Sequence, residues 1–355
     1  MKKKNAIYLI NSLKERGAEI GMELILNQGL LKKFNVFVVV LSKTNTNLEK
    51  RIAKRYNLIV LKKENFSNFH LLNYFILLLK LFKKLKPKLV ISSLNQSVLL
   101  SRLLKLFKNF LLVNFEHSTK FRNYFIYITL KITDFLCNYF IVDSYQTGKF
   151  LIKRGKKNKK FILPLFFTKI KKFNMIKIKT IYCVGELTQL KNHLDILKTV
   201  HKSGLLHRGF RLVFFGEGEF YSQLEKYIFK NNLLKKVSLS GFKKKWQSKI
   251  GLGSIYISFS DYEGLSVSTL QAMEAGSCCL VRPTGEIKLY VKNKQNGIFI
   301  NSLKSLEKNL IKIPSKKIDS ILIGKKAYDH VSFYYSKKLF QKKLNLISYN
   351  LEKDV

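Results

Sequence analysis

Short apolar runs rich in β-branched and aromatic residues recur along this chain, separated by segments with helical spacing. In the first half the runs fall at 6–10, 35–41, 57–61, 88–93, 110–115 and 139–143. Helices are predicted over 19–32, 65–86 and 96–107, the second of them stopped by Pro87. The second half begins the alternation again. Its apolar runs lie at 180–184, 211–215, 237–239, 255–259, 278–282 and 297–300, with helices predicted over 192–201, 219–230, 266–276 and 286–292. Repeated strand–helix–strand units restrict the chain to parallel sheets with helices on both faces.

The predicted fold class is therefore α/β, with two tandem Rossmann-like doubly wound parallel-sheet domains and a cleft between their carboxyl edges. A length of 355 residues fits two domains, since single cores stop growing near 250–300 residues. A basic, pattern-poor stretch over 153–179 contains Pro164 and reads as a linker, which puts the domain boundary near 168–175. The domains are read as 1–168 and 175–330. A C-terminal helical segment, 331–355, is expected to pack back toward the first domain. Its amphipathic, basic-faced part is placed at 336–351.

The charge balance is unusual. Sixty-six Lys and Arg stand against 22 Asp and Glu, a formal +44. Only nine of the basic residues are Arg, and Lys is spread through the whole chain, with clusters at 153–160, 169–179 and 243–245. Compositional drift accounts for that spread first. Attraction to an anionic membrane is added to it, at about 1 kcal/mol per basic residue near the surface. Specific nucleic-acid binding is not expected, because such modules carry Arg and aromatic signatures absent here. The start of the chain has too short an apolar run for a secretory signal and reads as a first strand. No run reaches the roughly 18–20 apolar residues of a membrane span. Segments 71–82 and 124–142 come nearest, and both read as helices with one apolar side that leave room for peripheral membrane contact. Cys137, Cys183, Cys278 and Cys279 show no metal spacing and read as small buried residues in a reducing compartment.

Candidate chemistry collects in the loops after the strands. Ser260 to Gly276 follows an apolar run and carries Glu263 and Gly264 in a turn before a short helix. Ser266 and Ser268 are possible N-caps of that helix, and Gly276 is the C-cap. The free N–H groups at such a helix start attract phosphate; an ordinary capped strand–turn–helix would have the same spacing. Gly185 and Glu186 end another strand, and Lys191 stands at the mouth of the next helix, either to neutralise a diphosphate or simply to be solvated. Gly216 and Gly218 form a turn that lets a ligand approach the backbone, without the third glycine of a dinucleotide fingerprint. In the first half, Gly17 and Ala18 follow the first strand. His117 ends another, where an imidazole either serves a site or packs. There is no Asp-x-Asp, Walker loop, Gly-x-Ser-x-Gly elbow or zinc spacing, so no metal site is predicted.

Taken in order, Gly17-Ala18-Glu19, Glu116-His117, Gly185 with Lys191-Asn192, Gly216-x-Gly218, Ser240-Gly241, the stretch from Ser260 to Gly276 and Asn296-Gly297 resemble a family. The chain resembles the retaining two-Rossmann-domain (GT-B) glycosyltransferases of the large bacterial group 1, or family 4, which build surface polysaccharides such as capsule, O-antigen and exopolysaccharide. The resemblance covers nearly the whole length.

It implies a nucleotide-sugar donor held mainly on the second domain, 175–330, a glycan or lipid-linked acceptor bound by the first, 1–168, and no cofactor or metal. It also implies a cytoplasmic enzyme, peripheral at the inner face of the cytoplasmic membrane. Lys191 would contact the diphosphate, Glu263 the donor sugar, and the N–H groups of Leu265 and Ser266 a phosphate. Gln271 would meet the ribose. Gly17 would admit the diphosphate, and His117 would touch the sugar near the reacting carbon. Three positions depart from the family's pattern. Gln271 stands where a second glutamate is usual, Glu186 where an arginine is, and Ser266 where a glycine is. Glu274, one turn beyond Gln271, is the candidate to supply the lost carboxylate. The rival reading is a catalytically weakened GT-B-fold partner or binding protein.

Overall fold

The computed structural model describes residues 3–62, 71–117, 124–153, 160–169, 179–315 and 318–355. The start of the helix predicted at 65 and parts of the basic clusters at 153–160 and 169–179 lie outside the described residues. The chain forms two compact units: Met1–Leu165 with Lys338–Val355, and Phe166–Lys337.

The first unit is built on seven parallel strands, β1 (Asn5–Ile10), β2 (Asn35–Ser42), β3 (Asn57–Lys62), β4 (Leu89–Ser93), β5 (Leu111–Glu116), β6 (Tyr139–Val142) and β7 (Lys160–Ile162). Their order is β3-β2-β1-β4-β5-β6-β7. The order reverses between β1 and β4, where Ile10 lies beside Ser93 at the carboxyl ends. Ala6 to Ile10 are fully buried, as expected of a central strand covered on both faces. β7 comes from the stretch read as linker. Edge pairing with β6 requires only extended backbone, and Lys160-Phe161-Ile162 is too short to show a strand period after the basic residues that precede it.

The second unit repeats the plan with β8 (Thr180–Val184), β9 (Arg211–Phe215), β10 (Val237–Leu239), β11 (Ile255–Ser258), β12 (Cys278–Val281) and β13 (Ile298–Phe299), all parallel in the order β10-β9-β8-β11-β12-β13. Its reversal falls between β8 and β11. The unit begins at Phe166, a few residues before the interval read as the boundary, because Phe166 is buried with Tyr182, Trp246 and Tyr256 and meets the Tyr335 ring edge-on. Two helices in this unit, Leu303–Lys312 and Ser320–Tyr334, escaped the sequence reading.

The C-terminal segment read as one piece from 331 is two helices. Residues 331–334 end the helix Ser320–Tyr334, with Val331 fully buried in the second unit and the Tyr335 carbonyl accepting the Thr168 N–H at 2.9 Å. The following helix, Lys337–Lys353, is held to the first unit. Its Ser348 hydroxyl donates to the Leu30 carbonyl at 2.9 Å, and Asp354 just beyond it accepts the Tyr139 hydroxyl at 2.5 Å. Among the described residues, no helix is long and apolar enough to cross a membrane.

One buried ion pair joins two helices of the first unit. Arg102, in helix Asn95–Phe107, donates to Asp134 at 2.8 Å, and both side chains are fully buried. Replacing Arg102 by Met leaves the Asp134 carboxylate buried without its cation. A loss of about 3–5 kcal/mol is expected, read as a lower urea midpoint for the first unit's transition.

Candidate active site

Parallel strands place every strand-to-helix turn on one edge of each sheet, so the candidate loops of the second unit lie at the carboxyl ends of β8, β9 and β11. They are joined by backbone contacts. The Gly185 N–H donates to Phe215 O at 3.0 Å, the Leu187 N–H to Glu217 O at 2.9 Å, and the Gly216 N–H to Gly241 O at 2.9 Å. Gly216 has φ +153°, and a Cβ there would stand 1.9 Å from the Gly185 carbonyl oxygen. No other residue fits that position. Gly218 is confined in the same way by Leu187, with 2.5 Å from a built Cβ to the carbonyl oxygen.

Lys191 closes a one-turn 3-10 segment, Gln189–Lys191, and its stem passes Gly185. Asn192 follows in the left-handed region at φ 54°, with its side-chain amide donating to Phe259 O at 3.0 Å. The Asp261 N–H donates to Leu190 O at 2.9 Å. These two bonds bind the β8 loop to the β11 loop, and they bring Lys191 to Glu263: Nζ to Oε1 is 2.6 Å across 72 residues of sequence. The pair is part exposed, with side-chain accessibilities of 24% and 10%. It sits at the switch point of the sheet, where open α/β folds take ligands.

Behind Glu263 the chain turns into the helix Val267–Glu274, whose Thr269 and Leu270 N–H groups donate to Ser266 O at 3.1 and 3.2 Å, so that the helix start points its N–H groups toward the β11 loop. Ser266 is the N-cap residue, at φ 52°, but its hydroxyl bonds the Thr269 hydroxyl at 2.9 Å rather than a backbone N–H. The helix ends at Gly276 in a Schellman turn, with the Ser277 N–H on Ala272 O and the Gly276 N–H on Met273 O. The turn before it is fixed from two sides. The Tyr290 hydroxyl donates to Leu265 O at 2.9 Å, and the Glu286 N–H to Gly264 O at 3.0 Å. Gly285, at φ +53°, lies against Glu263; a Cβ there would come within 2.0 Å of its carbonyl oxygen. Tyr256 ties β11 to the helix start through Ser268 at 3.0 Å.

Other candidates fall outside this cluster. Gln271 is half-buried on the helix and Glu186 is exposed. Glu274 is buried, and its carboxylate accepts the N–H of Lys169 at the start of the unit, so it does not substitute for a carboxylate at Gln271. Burial, with the Lys191 charge second, pushes the His193 imidazole down to about 3.

In the first unit His117 stands at the end of β5, stacked on Phe115 at 4.4 Å between ring centres. Its Nε2 is 3.4 Å from the Ser93 hydroxyl, which shares a 2.7 Å bond with the buried Tyr8 hydroxyl. Its Nδ1 faces Asp143 Oδ2 at 3.6 Å. Asp143 is itself held by the Thr147 hydroxyl at 3.1 Å. Glu19 is buried nearby, and burial raises its carboxyl above the usual range, partly offset by its own backbone N–H and by Arg16 and His117. Gly17 is the first residue of helix Gly17–Asn27 with Ala18 next, and nothing lies within 4 Å of where a Gly17 Cβ would be. Tyr8, Ser93 and Asp143 were missed from sequence. Asp143-Ser144-x-x-Thr147 was the available signal, a polar cap directly after a strand. Among the described residues no three His, Cys, Asp or Glu side chains gather as a metal-holding group.

Two parallel sheets, each with its order reversing at an equivalent place, define the GT-B architecture. Residues 167–330 match the family described as Glycosyl transferases group 1. The second unit carries that family's domain, and the chain is a glycosyltransferase. No curated protein matches it. Among solved structures, HepE from Anabaena, determined with UDP and glucose, is similar over 99% of this chain and 100% of its own, at a TM-score of 0.80 and 13% identity. A glycosyltransferase from Rickettsia africae covers 99% and 100% at 0.77 and 14%. TarM from S. aureus, in a complex containing UDP, covers 97% and 99% at 0.74 and 12%. These likenesses are of fold.

The low position of His193 gives a pH dependence with a definite sign. An unfolded histidine takes a proton near 6.5, whereas the folded one resists until about 3. Its contribution is therefore fully present above pH 6.5 and lost as pH falls toward 3, at about 1.4 kcal/mol per pH unit. His193→Phe is expected to remove about 2 kcal/mol of the difference between pH 6.5 and pH 5, measured by urea unfolding of both proteins.

Proposed function

We propose that this glycosyltransferase moves a sugar from a nucleoside-diphosphate sugar to a hydroxyl of a glycan or lipid-linked acceptor. It does so with retention at the anomeric carbon and without a metal, in building cell-surface polysaccharide at the inner face of the cytoplasmic membrane. The observation that carries the reading is the Lys191–Glu263 pair at the switch point of the second sheet, beside a helix start. A group there faces a cation, a carboxylate and the N–H groups of a helix start, which suits a diphosphate joined to a sugar. The UDP in the HepE and TarM structures makes UDP-sugars the first donors to test.

In the proposed reaction the bond from the anomeric carbon to the diphosphate oxygen breaks and a bond to the acceptor oxygen forms on the same face. The acceptor proton passes to the departing phosphate. Lys191 and the N–H groups of Leu265 and Ser266 stabilise the charge that accumulates on the diphosphate. Glu263 fixes the ammonium and accepts sugar hydroxyls, and Gln271 bonds the ribose through its amide. The glycines at 185, 216, 218 and 264 keep side chains away from the nucleotide, and Gly17 and Ala18 do the same in the first unit. His117, oriented by Ser93 and Asp143, serves the sugar.

Lys191→Met is expected to lower kcat by about 10²–10³ with the fold intact, and EDTA is expected to leave the wild-type rate unchanged. Both are read from UDP release over a panel of UDP-sugars. No saturable binding and no hydrolysis of any nucleotide-sugar would end the proposal.

A second reading, a weakened partner, draws on Gln271 and on the commitment of Glu274 to the Lys169 N–H. Gln271→Glu separates the two. Under the enzyme reading it tightens donor binding by a few-fold, since charge-assisted bonds are about twice as strong. Activity that appears only in the variant supports the weakened partner.

A further inference from the structure

From residue 65 to residue 142 the only carboxylates are Glu116 and Asp134, and both are buried. The same interval holds three neighbouring helices of the first unit, Leu71–Leu85, Asn95–Phe107 and Tyr124–Thr133. Their outer surface is strongly apolar. Leu72, Phe107, Tyr124, Phe125, Ile132 and Phe135 are each between 64% and 74% exposed. Phe107 meets Phe75 edge-on at 5.8 Å, which joins the first two helices at that surface. Exposed apolar area of this extent marks an interaction site rather than scattered residues.

The third helix explains why the surface stays outward. Its ten residues, Tyr-Phe-Ile-Tyr-Ile-Thr-Leu-Lys-Ile-Thr, bury one side chain, Leu130. It is anchored at its carboxyl end by a polar fork instead of an apolar face. Arg102 donates to Leu130 O at 2.5 Å, to the Thr133 hydroxyl at 2.9 Å and to Asp134 at 2.8 Å. Tyr127 turns to the Phe150 ring at 5.9 Å, while Phe125, Ile128 and Ile132, at 74%, 36% and 66% exposed, share an outward stripe at helical spacing. Lys80, Lys83, Lys84 and Lys131 are exposed on the first and third of these helices.

We propose that this three-helix face docks on an anionic lipid surface, with its aromatic and aliphatic side chains entering the headgroup layer and its lysines pairing with lipid phosphates. The charge pattern selects the occupant. A second copy would oppose two lysine-bearing faces that display no carboxylate between 65 and 142, and like charges repel. The proposal deepens the acceptor reading above and rests on it for its purpose, since a lipid-linked acceptor reaches an enzyme held at its own surface.

The full chain is mixed with vesicles of phosphatidylcholine alone or with about a third phosphatidylglycerol, and floated in a density gradient. Binding is expected with the anionic vesicles, weaker at high salt and at least tenfold weaker for Phe125→Ser with Ile132→Ser. A second variant, Lys83→Glu with Lys84→Glu, should lose binding while its urea transition stays in place. UDP binding by calorimetry without vesicles is run on the same proteins. If UDP binds and vesicles do not, the docking face fails and the donor reading stands; vesicle binding without UDP binding reverses that. Binding indifferent to lipid charge, or unaffected by both double variants, overturns the proposal. So does a dimer that the serine substitutions dissociate in the absence of vesicle binding.

Discussion

The ion pair between Lys191 and Glu263 depends on a backbone contact that a side chain would prevent. Gly216 presses against the Gly185 carbonyl, so the β8 and β9 loops lie directly on each other and the Lys191 stem is set along Gly185. The Asn192 amide and the Asp261 N–H then clamp that loop to the β11 loop. Gly285 repeats the device on the far side by letting the chain after β12 close on Glu263. The cation and the carboxylate are thus positioned by peptide groups, which are stiffer than the long side chains they carry.

The first unit meets the same problem with side chains. Asn11, just beyond β1, receives the Ser97 N–H at 3.1 Å and its hydroxyl at 2.7 Å, and its amide donates to Gln96 at 2.5 Å. That fastens the end of β1 to the helix after β4 at the switch point. Tyr8, Ser93, His117 and Asp143 continue as a chain of polar groups from β1 to the end of β6. Each is oriented by its neighbour, so a change at Asp143 reaches the imidazole without touching a ligand.

The strand-and-helix alternation was legible because parallel strands covered on both faces are continuous apolar runs. Twelve of the thirteen strands among the described residues lie where such runs were read; β7 was missed, and β13, predicted over 297–300, pairs only at Ile298–Phe299. The strand β7 and the helices Leu303–Lys312 and Ser320–Tyr334 were hidden for one reason. The lysine-rich composition supplies basic residues everywhere, so an edge strand and a surface helix look like linker. Glu274 shows the limit for single residues. Spacing put it one turn from Gln271, while the packing aimed its carboxylate at the Lys169 N–H.

By itself the sequence determined two parallel sheets, the loops that follow their strands, and which of those loops carry Lys191, Glu263 and His117. Periodicity and glycine position are local properties, and they survive without knowledge of the fold. Only the tertiary structure decided that Lys191 and Glu263 touch at 2.6 Å, that Ser93 and Asp143 flank His117, and that the Ser348 hydroxyl of the last helix bonds Leu30 O. Those are contacts between residues from 24 to more than 300 positions apart, which no window of sequence spans. The stretch from Ser260 to Gly276 belongs to both levels: its helix was readable in spacing, and its carboxylate acquired a partner only when β8 and β11 came together.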